Sequence, residues 1–171
     1  FYEHKPFVYH FCPSLFGDLD PISVPFSELA IMACKSALFG DWDSYDRILV
    51  CSKPSDCKKL GRLVRNFDES RWNDVRESIA FSILKAKFES SVHMRSILCN
   101  TKGKILAEAS PTDRIWGIGL SLTNDRSRKV SEWRGKNILG FTLMKVRDSF
   151  LSKSVDGTLA VLPVHNMLCS Y

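Results

Sequence analysis

The stretch Ser27-Glu-Leu-Ala-Ile-Met-Ala-Cys-Lys-Ser-Ala-Leu-Phe39 contains the most informative pattern in the chain. Its interior-type residues recur at three- and four-residue steps, as they do in an α-helix: Leu29, Met32, Ala33 and Ser36. We expect a helix over residues 27–39 that Ser27 caps and Gly40 ends. Because this segment is apolar on almost every side, the helix belongs in the interior of a folded domain.

Two charged residues interrupt this apolar helix, Glu28 and Lys35. A separation of seven residues is about two helical turns, so both side chains lie on the same side and can line one cavity. On spacing alone, a solvated surface pair is the simpler interpretation. The flanking residues Leu29 to Cys34 are all apolar, which argues against a solvent-facing helix. A buried charged pair costs free energy unless it has a partner or a purpose. The sequence therefore favours a buried functional pair.

Outside this helix the chain is again rich in helical patterns, with one short strand and a loop-rich start. Apolar spacing predicts helices over 52–64, 70–89 and 91–99 and a closing helical stripe over 139–150. We predict a strand over 104–109, short strands and loops over the proline-containing residues 1–25, and a final extended segment over 154–171. These elements indicate a helix-rich α+β fold in a single domain, residues 1–171, with several helices around a small sheet.

Composition excludes several classes of protein. At 171 residues and 44% hydrophobic content, the chain can bury the core of one domain, and no apolar run approaches the roughly 20 residues of a membrane span. The six cysteines are irregularly spaced, with no CxxC pair and no HxxxH, so we expect reduced thiols, no metal site and no cofactor. The opening stretch lacks a signal-peptide pattern, so we expect a cytoplasmic protein, with the nucleus as the alternative. A net charge of +5 favours anionic partners, although the scattered Lys and Arg residues fit an ordinary basic surface equally well.

The second informative segment is Glu108-Ala-Ser-Pro-Thr-Asp-Arg-Ile-Trp-Gly-Ile-Gly119. Gly117 and Gly119 allow close approach to a ligand or a positive φ, and Trp116 offers a face on which a planar base can stack. The competing interpretation is a tight turn in which Asp113 caps a helix and Trp116 anchors the core. Because loops contain functional residues more often than expected, this segment alone favours neither interpretation over the other.

Two further segments are candidate functional elements. Residues 133–140 read Trp-Arg-Gly-Lys-Asn-Ile-Leu-Gly, in which Asn137 can cap the last helix and the Gly135 amide can meet an anion. For this segment taken singly, a plain helix start is the favoured interpretation. Residues 123–129 have turn composition, and we expect a surface loop that could serve as a lid.

Taken in order, these motifs resemble the YbiA-like, or NADAR, family, whose name stands for NAD and ADP-ribose. The resemblance runs from about residue 24 to about residue 150. It rests on the following motifs: Glu28-x6-Lys35, Ala37-Leu-Phe-Gly-Asp41, Lys59-Leu-Gly-Arg62, Trp72, Lys87-Phe88, Glu108-Ala-Ser-Pro-x-Asp-Arg-Ile-Trp-Gly-x-Gly119, Trp133-x-Gly-x-Asn-x-Leu-Gly140 and Leu143-Met-x-Val-Arg147.

The resemblance implies a YbiA-like fold and N-glycosidase activity, with no cofactor. Members of the family act on phosphoribosylaminopyrimidine intermediates of riboflavin synthesis or on ADP-ribose attached to guanine in DNA. We accordingly expect a substrate that contains ADP-ribose or a ribose phosphate, either as a small molecule or linked to DNA. Lys35, Glu28 and Asp113 are the expected catalytic residues, with Lys35 at the centre and Glu28 as the proton shuttle. The expected substrate-binding residues are Trp116, Gly117, Gly119, Glu108, Arg114, Arg62 and Asn137.

The alternative is a binding module without catalysis that senses NAD or ADP-ribose. Both interpretations need Trp116 and the glycines, whereas only an enzyme needs Glu28 and Lys35. A nucleic-acid-binding module fits less well, because basic and aromatic residues do not alternate along one stripe. The sequence therefore favours the enzyme, with DNA only as a carrier of the substrate.

Overall fold

The computed structural model describes residues 6–153. In chain order its regular elements are β1 (Phe7–Tyr9), α1 (Pro13–Phe16), β2 (Ile22–Val24), α2 (Ser27–Leu38), α3 (Trp42–Leu49), α4 (Pro54–Gly61), α5 (Glu69–Glu89), α6 (Val92–Cys99) and α7 (Ile138–Lys153). β1 and β2 form a two-stranded antiparallel sheet in which Phe7 lies opposite Val24. The predicted helix-rich α+β fold is confirmed. The extended segment predicted over 154–171 lies outside the described residues.

Helix α2 is the centre of the main hydrophobic core. Eight of its twelve residues are buried, and it packs against α3, α4, α5 and β2. The chain folds this way because an apolar helix removes most of its surface from water only when other elements surround it. Glu28 and Lys35 are the charged residues of this helix, and both are partly buried. No helix within residues 6–153 is long and apolar enough to cross a membrane.

A second core joins the C-terminal half of α5 to α6 and α7. Its buried side chains are Leu84, Phe88, Met94, Leu98, Val146 and Phe150. The predicted helices over 70–89 and 91–99 correspond to α5 and α6 to within one residue at each end. The long helix α5 therefore belongs to both cores, and it fixes the first core relative to the second.

Helix α3 was absent from the sequence prediction, and a buried aspartate explains why it forms. The Asp41 carboxylate accepts a hydrogen bond from the Ser44 amide at the start of α3. It also accepts hydrogen bonds from the Arg65 amide at 2.8 Å and from Arg65 Nη2 at 2.7 Å. The hydrogen bonds from Arg65 hold the pKa of the Asp41 carboxyl well below its usual range, although burial opposes them. Asp41 thus caps α3 and ties the chain that follows α4 to it.

The strand predicted over 104–109 does not form. Residues 104–109 have no regular secondary structure, and their backbone is bonded to side chains and to a loop rather than to a neighbouring strand. The side-chain Nδ2 of Asn137 donates to the Leu106 carbonyl at 2.9 Å, and its Oδ1 accepts from the Glu108 backbone amide at 3.0 Å. Arg147 donates to the Lys104 carbonyl, and the Ile118 amide donates to the Glu108 carbonyl. These partners bond the backbone groups of Lys104, Leu106 and Glu108, so those groups need no neighbouring strand.

Two predictions at helix ends and one for a loop also need correction. Ser27 does not cap α2: its hydroxyl is enclosed and has no partner among the described residues, and Phe26 occupies the cap position. The helix predicted over 52–64 ends at Gly61, so Leu63 is exposed rather than part of an apolar face. The surface loop predicted over 123–129 contains a short 3-10 helix, Asp125–Arg128.

Replacing Asn137 tests the bridge between the start of α7 and residues 106–108. Asn137 is fully buried with a φ of 51°, and exposed Asn66 has a similar φ of 56°. Glycine adopts this conformation freely, so Asn137→Gly removes the two side-chain hydrogen bonds without adding backbone strain. We expect Asn137→Gly to lose about 1–3 kcal/mol of unfolding free energy in urea titrations, because two partly buried hydrogen bonds to the backbone are lost. Asn66→Gly is the matched control and should change stability by less than about 0.5 kcal/mol. Equal losses in the two variants would contradict the bridge.

Candidate functional site

A large cavity with a volume of about 620 Å³ lies among the described residues. Its walls come from α2, α4, α5 and the segment 112–116. A volume of this size is typical of sites that bind a nucleotide-sized ligand. A smaller cavity of about 170 Å³ adjoins it, and the two share Glu28, Lys58, Asp113 and Trp116.

Glu28 occupies the wall that the two cavities share. It lies in the first turn of α2, with the core residue Leu29 directly after it. Burial raises the pKa of the Glu28 carboxyl, and nearby Asp113 raises it further, whereas Lys58 and Arg62 act in the opposite direction. A carboxyl with a raised pKa keeps its proton closer to neutral pH, so Glu28 is suited to donate a proton.

Lys35 lies two turns further along α2 and faces the same cavity. Its Nζ donates a hydrogen bond of 2.6 Å to the Gly61 carbonyl at the end of α4. The same Nζ lies 4.0 Å from the centre of the Phe67 ring. Burial lowers the pKa of the Lys35 ammonium. The residue is therefore held in place by a carbonyl and an aromatic ring, with a larger neutral fraction than an exposed lysine has.

Asp113 faces the cavity from the loop that follows residues 104–109. Its Oδ1 accepts hydrogen bonds from the Ile115 and Trp116 amides at 3.0 and 2.8 Å. Its Oδ2 accepts from Lys58 Nζ at 3.3 Å. Burial by itself favours the neutral acid, but the two amides and Lys58 outweigh it and lower the pKa of the Asp113 carboxyl. Asp113 is therefore a carboxylate at neutral pH.

The cavity thus combines two carboxyl groups whose pKa values shift in opposite directions, Glu28 upward and Asp113 downward. Such a pair can hold one proton ready for donation while the other group is ready to accept one. With Lys35 on the same cavity, the site contains an acid, a base and an amine. This arrangement supports acid–base cleavage of a bond to carbon, with or without a covalent step.

The structure brings together six of the residues that the sequence singled out. The predicted site residues that line the large cavity are Glu28, Lys35, Arg62, Asp113, Arg114 and Trp116. Glu108 lines the smaller cavity. Gly117, Gly119 and Asn137 line neither of them. Their predicted contact with substrate is untested, and their surroundings in the structure indicate a supporting role.

Close packing of the backbone explains the glycines in this loop. A side chain at Gly117 would come within 2.9 Å of the Glu108 and Asp113 carbonyl oxygens. Gly119 has a φ of 69°, which favours glycine. A side chain at Gly135 would overlap the Gly117 carbonyl oxygen. The glycines therefore let this loop fold tightly enough for Asp113 to receive its two amide hydrogen bonds.

Several cavity residues were missed from the sequence, notably Lys58 and Arg76. A signal for each was present. Lys58 precedes Arg62 by four residues, so a helix places the two side chains on one face. Arg76 follows Trp72 by four residues and precedes Ile79 by three, which places it on the apolar stripe of α5. Among the described residues, no group of three or more His, Cys, Asp or Glu side chains could hold a metal ion.

The chain matches a known protein family. The model of the NADAR domain family matches residues 4–151. The chain is 39% identical over 122 residues to "N-glycosidase R617" of Acanthamoeba polyphaga mimivirus, which covers 71% of this chain and 72% of that protein. It is 33% identical over 121 residues to "Riboflavin biosynthesis protein PYRR, chloroplastic" of Arabidopsis thaliana, which covers 66% of this chain but 18% of the plant protein.

The fold also matches a solved structure. The NMR structure of the E. coli protein YbiA superimposes with a TM-score of 0.66 at 24% sequence identity. The match covers 91% of this chain and 79% of YbiA. At this identity the match supports the fold, which agrees with the YbiA-like fold predicted from the sequence.

The contact between α2 and α4 that positions Lys35 can be tested at Gly61. A side chain at Gly61 would overlap Met32 Sδ. We expect Gly61→Ala to lose about 0.5–1.5 kcal/mol of unfolding free energy in urea titrations, because the Met32 side chain must change rotamer and move toward the cavity that it lines. In a Met32→Ala background the same change should be neutral or stabilising by up to about 1 kcal/mol, since alanine favours a helix over glycine. The same loss in both backgrounds would show that Met32 does not set this contact.

Proposed function

Because the chain belongs to the NADAR domain family, we propose that it is an N-glycosidase. In this proposal it hydrolyses the bond between C1 of a phosphorylated ribose and the nitrogen of a base. The observation that carries it is the pair of carboxyl groups, Glu28 and Asp113, whose pKa values shift in opposite directions at the cavity that also contains Lys35. A relative that is 39% identical bears the name N-glycosidase, which supports the same reaction.

The two carboxyl groups divide the proton transfers between them. Glu28, whose pKa is raised, donates its proton to the leaving nitrogen as the bond from that nitrogen to C1 breaks. Asp113, whose pKa is lowered, orients the ribose hydroxyls or accepts a proton from the attacking water. When Asp113 accepts the proton of the water, Glu28 has lost one proton and Asp113 has gained one, so a single proton transfer restores the starting state.

Lys35 supplies either a nucleophile or a positive charge. In its neutral form, which burial favours, Nζ attacks C1 of the ring-opened sugar, and the bond from C1 to the base nitrogen breaks as that nitrogen takes the proton of Glu28. Water then hydrolyses the Schiff base between Nζ and C1, which releases the sugar and restores Lys35. In its charged form it stabilises negative charge on the leaving base. The hydrogen bond to the Gly61 carbonyl and the contact with the Phe67 ring hold Nζ in the cavity for either role.

The surroundings of the site suit a phosphorylated substrate with an aromatic base. Trp116 offers a stacking surface, and Arg62 and Arg114 are exposed at the cavity, where they can meet phosphate oxygens. Two substrate groups fit this description. One is ADP-ribose attached to guanine in DNA, and the other is a phosphoribosylaminopyrimidine.

Product analysis by mass spectrometry tests the proposal. We expect the protein to release a free base or ADP-ribose from guanine-ADP-ribosylated DNA, NAD or a phosphoribosylaminopyrimidine. Lys35→Ala should lower the rate at least about a hundredfold, which is typical of the loss of a group that takes part in the reaction. Lys59→Ala is the matched control, because Lys59 pairs with Asp56 and does not line the cavity. If nothing is cleaved while ADP-ribose still raises the Tm, the protein is a sensor of ADP-ribose and not an enzyme.

The dependence of the rate on pH tests the role of Glu28. Since Glu28 must be protonated to act as the acid, kcat should fall as the pH rises through its raised pKa. Glu28→Gln should reduce kcat by about 10²–10⁴-fold and remove this fall from the profile. A rate of Glu28→Gln that keeps the same descending limb would assign that limb to another group.

A further inference from the structure

Arg76 is a buried cation that the proposed reaction does not use. It lies on α5, is 7% exposed and lines the large cavity. Its Nη1 donates to Asn73 Oδ1, which is the one hydrogen bond of Arg76 among the described residues. Its Nε is fully enclosed and has no acceptor there. No carboxylate of residues 6–153 forms an ion pair with it, although three acidic side chains line the same cavity.

An arginine in this position cannot escape the cost of burial by losing its proton. A buried lysine becomes neutral when its pKa falls, and burial does lower the pKa of Lys35. The guanidinium stays charged at any physiological pH, so it needs an anion or several hydrogen-bond acceptors. One amide oxygen meets little of that need.

The other buried arginine shows what full compensation looks like. Arg147 on α7 is 6% exposed, close to the value for Arg76. It donates to the Thr101 and Lys104 carbonyl oxygens, both at 2.8 Å, and pairs with Asp148 at 2.9 Å. The protein therefore surrounds one buried guanidinium with acceptors and leaves the other facing a cavity nearly without them.

The position of Arg76 along α5 places it away from the mouth of the cavity. Glu69, Asn73 and Arg76 follow each other at helical spacing and all line the cavity. Glu69 and Asn73 are exposed, whereas Arg76 is buried. Over the seven residues from Glu69 to Arg76 the helix advances about 10 Å. The stripe thus runs from solvent to a buried guanidinium.

We propose that Arg76 is the anchor of a phosphate-binding subsite in this cavity, which the phosphate group of the ribose substrate occupies. A phosphate oxygen can accept a hydrogen bond from Nη2 of the planar guanidinium, which has no partner among the described residues and, unlike Nε, is not enclosed by the protein. The balance of charge agrees, because five basic side chains and three acidic ones line the cavity. This inference rests on the proposed function for the identity of the sugar, but the subsite itself requires only binding.

Arg62 and Arg114 can also meet phosphate oxygens, but their surroundings differ from those of Arg76. Both of those side chains are exposed, so water and salt screen their charges. A charge-assisted hydrogen bond is stronger where water is excluded, as it is at Arg76. We therefore expect Arg76 to determine whether a phosphate is bound, with Arg62 and Arg114 contributing less.

Isothermal titration calorimetry with ribose 5-phosphate and ribose tests the subsite. The unmodified protein should bind ribose 5-phosphate more tightly than ribose. In Arg76→Gln the affinity for ribose 5-phosphate should fall by about ten- to a hundredfold, while the affinity for ribose should stay within about threefold. Arg71→Gln is the matched control, since Arg71 is an exposed arginine of the same helix that does not line the cavity. Equal affinity of Arg76→Gln and the unmodified protein for ribose 5-phosphate would overturn the subsite, as would a larger loss in Arg62→Gln or Arg114→Gln.

A second measurement needs no variant at this position. In NMR spectra of the unmodified protein, the Nη–Hη signal of Arg76 should shift when ribose 5-phosphate is added and remain unchanged when ribose is added. A signal that ignores ribose 5-phosphate at saturation would overturn the subsite even if Arg76→Gln does not fold.

Kinetics separate this inference from the reaction itself. If the protein cleaves a phosphorylated substrate with the same KM in Arg76→Gln, the subsite is wrong and the N-glycosidase stands. If no substrate is cleaved but ribose 5-phosphate binding depends on Arg76, the subsite stands and the N-glycosidase is wrong.

Discussion

Helix α2 packs against α3, α4, α5 and β2, and this burial leaves few directions open to the side chains that it carries. Its apolar residues fill the core, while Glu28 and Lys35 both line the large cavity. The same burial raises the pKa of the acid and lowers the pKa of the amine. Packing of an apolar helix therefore creates both the position and the chemistry of these two groups.

Asp113 reaches the cavity from the loop that precedes α7 and not from α2. Asn137 bonds to the backbone at Leu106 and Glu108, and the glycines let the following loop pack closely enough to give Asp113 two amide donors. Those amides, with Lys58, keep Asp113 ionised despite its partial burial. The two carboxyl groups therefore differ because one lies among core residues and the other is surrounded by hydrogen-bond donors.

Much of this arrangement could be predicted from the sequence, and the failures have a common cause. The helical spacing of α2, α5 and α6 is strong, and the motifs that contain Glu28, Lys35, Asp113 and Trp116 are long enough to resemble a family. The strand over 104–109 was wrong because its partners are a side chain from residue 137 and a distant loop, which local patterns do not contain. Helix α3 was missed for a similar reason, since Asp41 depends on Arg65 for its charge balance. Arg76 lay on a predicted apolar stripe, and only the cavity beside it indicates a role.

The account depends most on the opposite shifts of the two carboxyl groups, and carboxyl-carbon NMR titration of the unmodified protein measures both in one experiment. We predict that Glu28 titrates above the ordinary value of about 4.3 and that Asp113 titrates below the ordinary value of about 3.9. That result would identify the acid and the base before any substrate is added. Two ordinary values, or an Asp113 pKa above that of Glu28, would contradict the division of roles on which the proposed reaction depends.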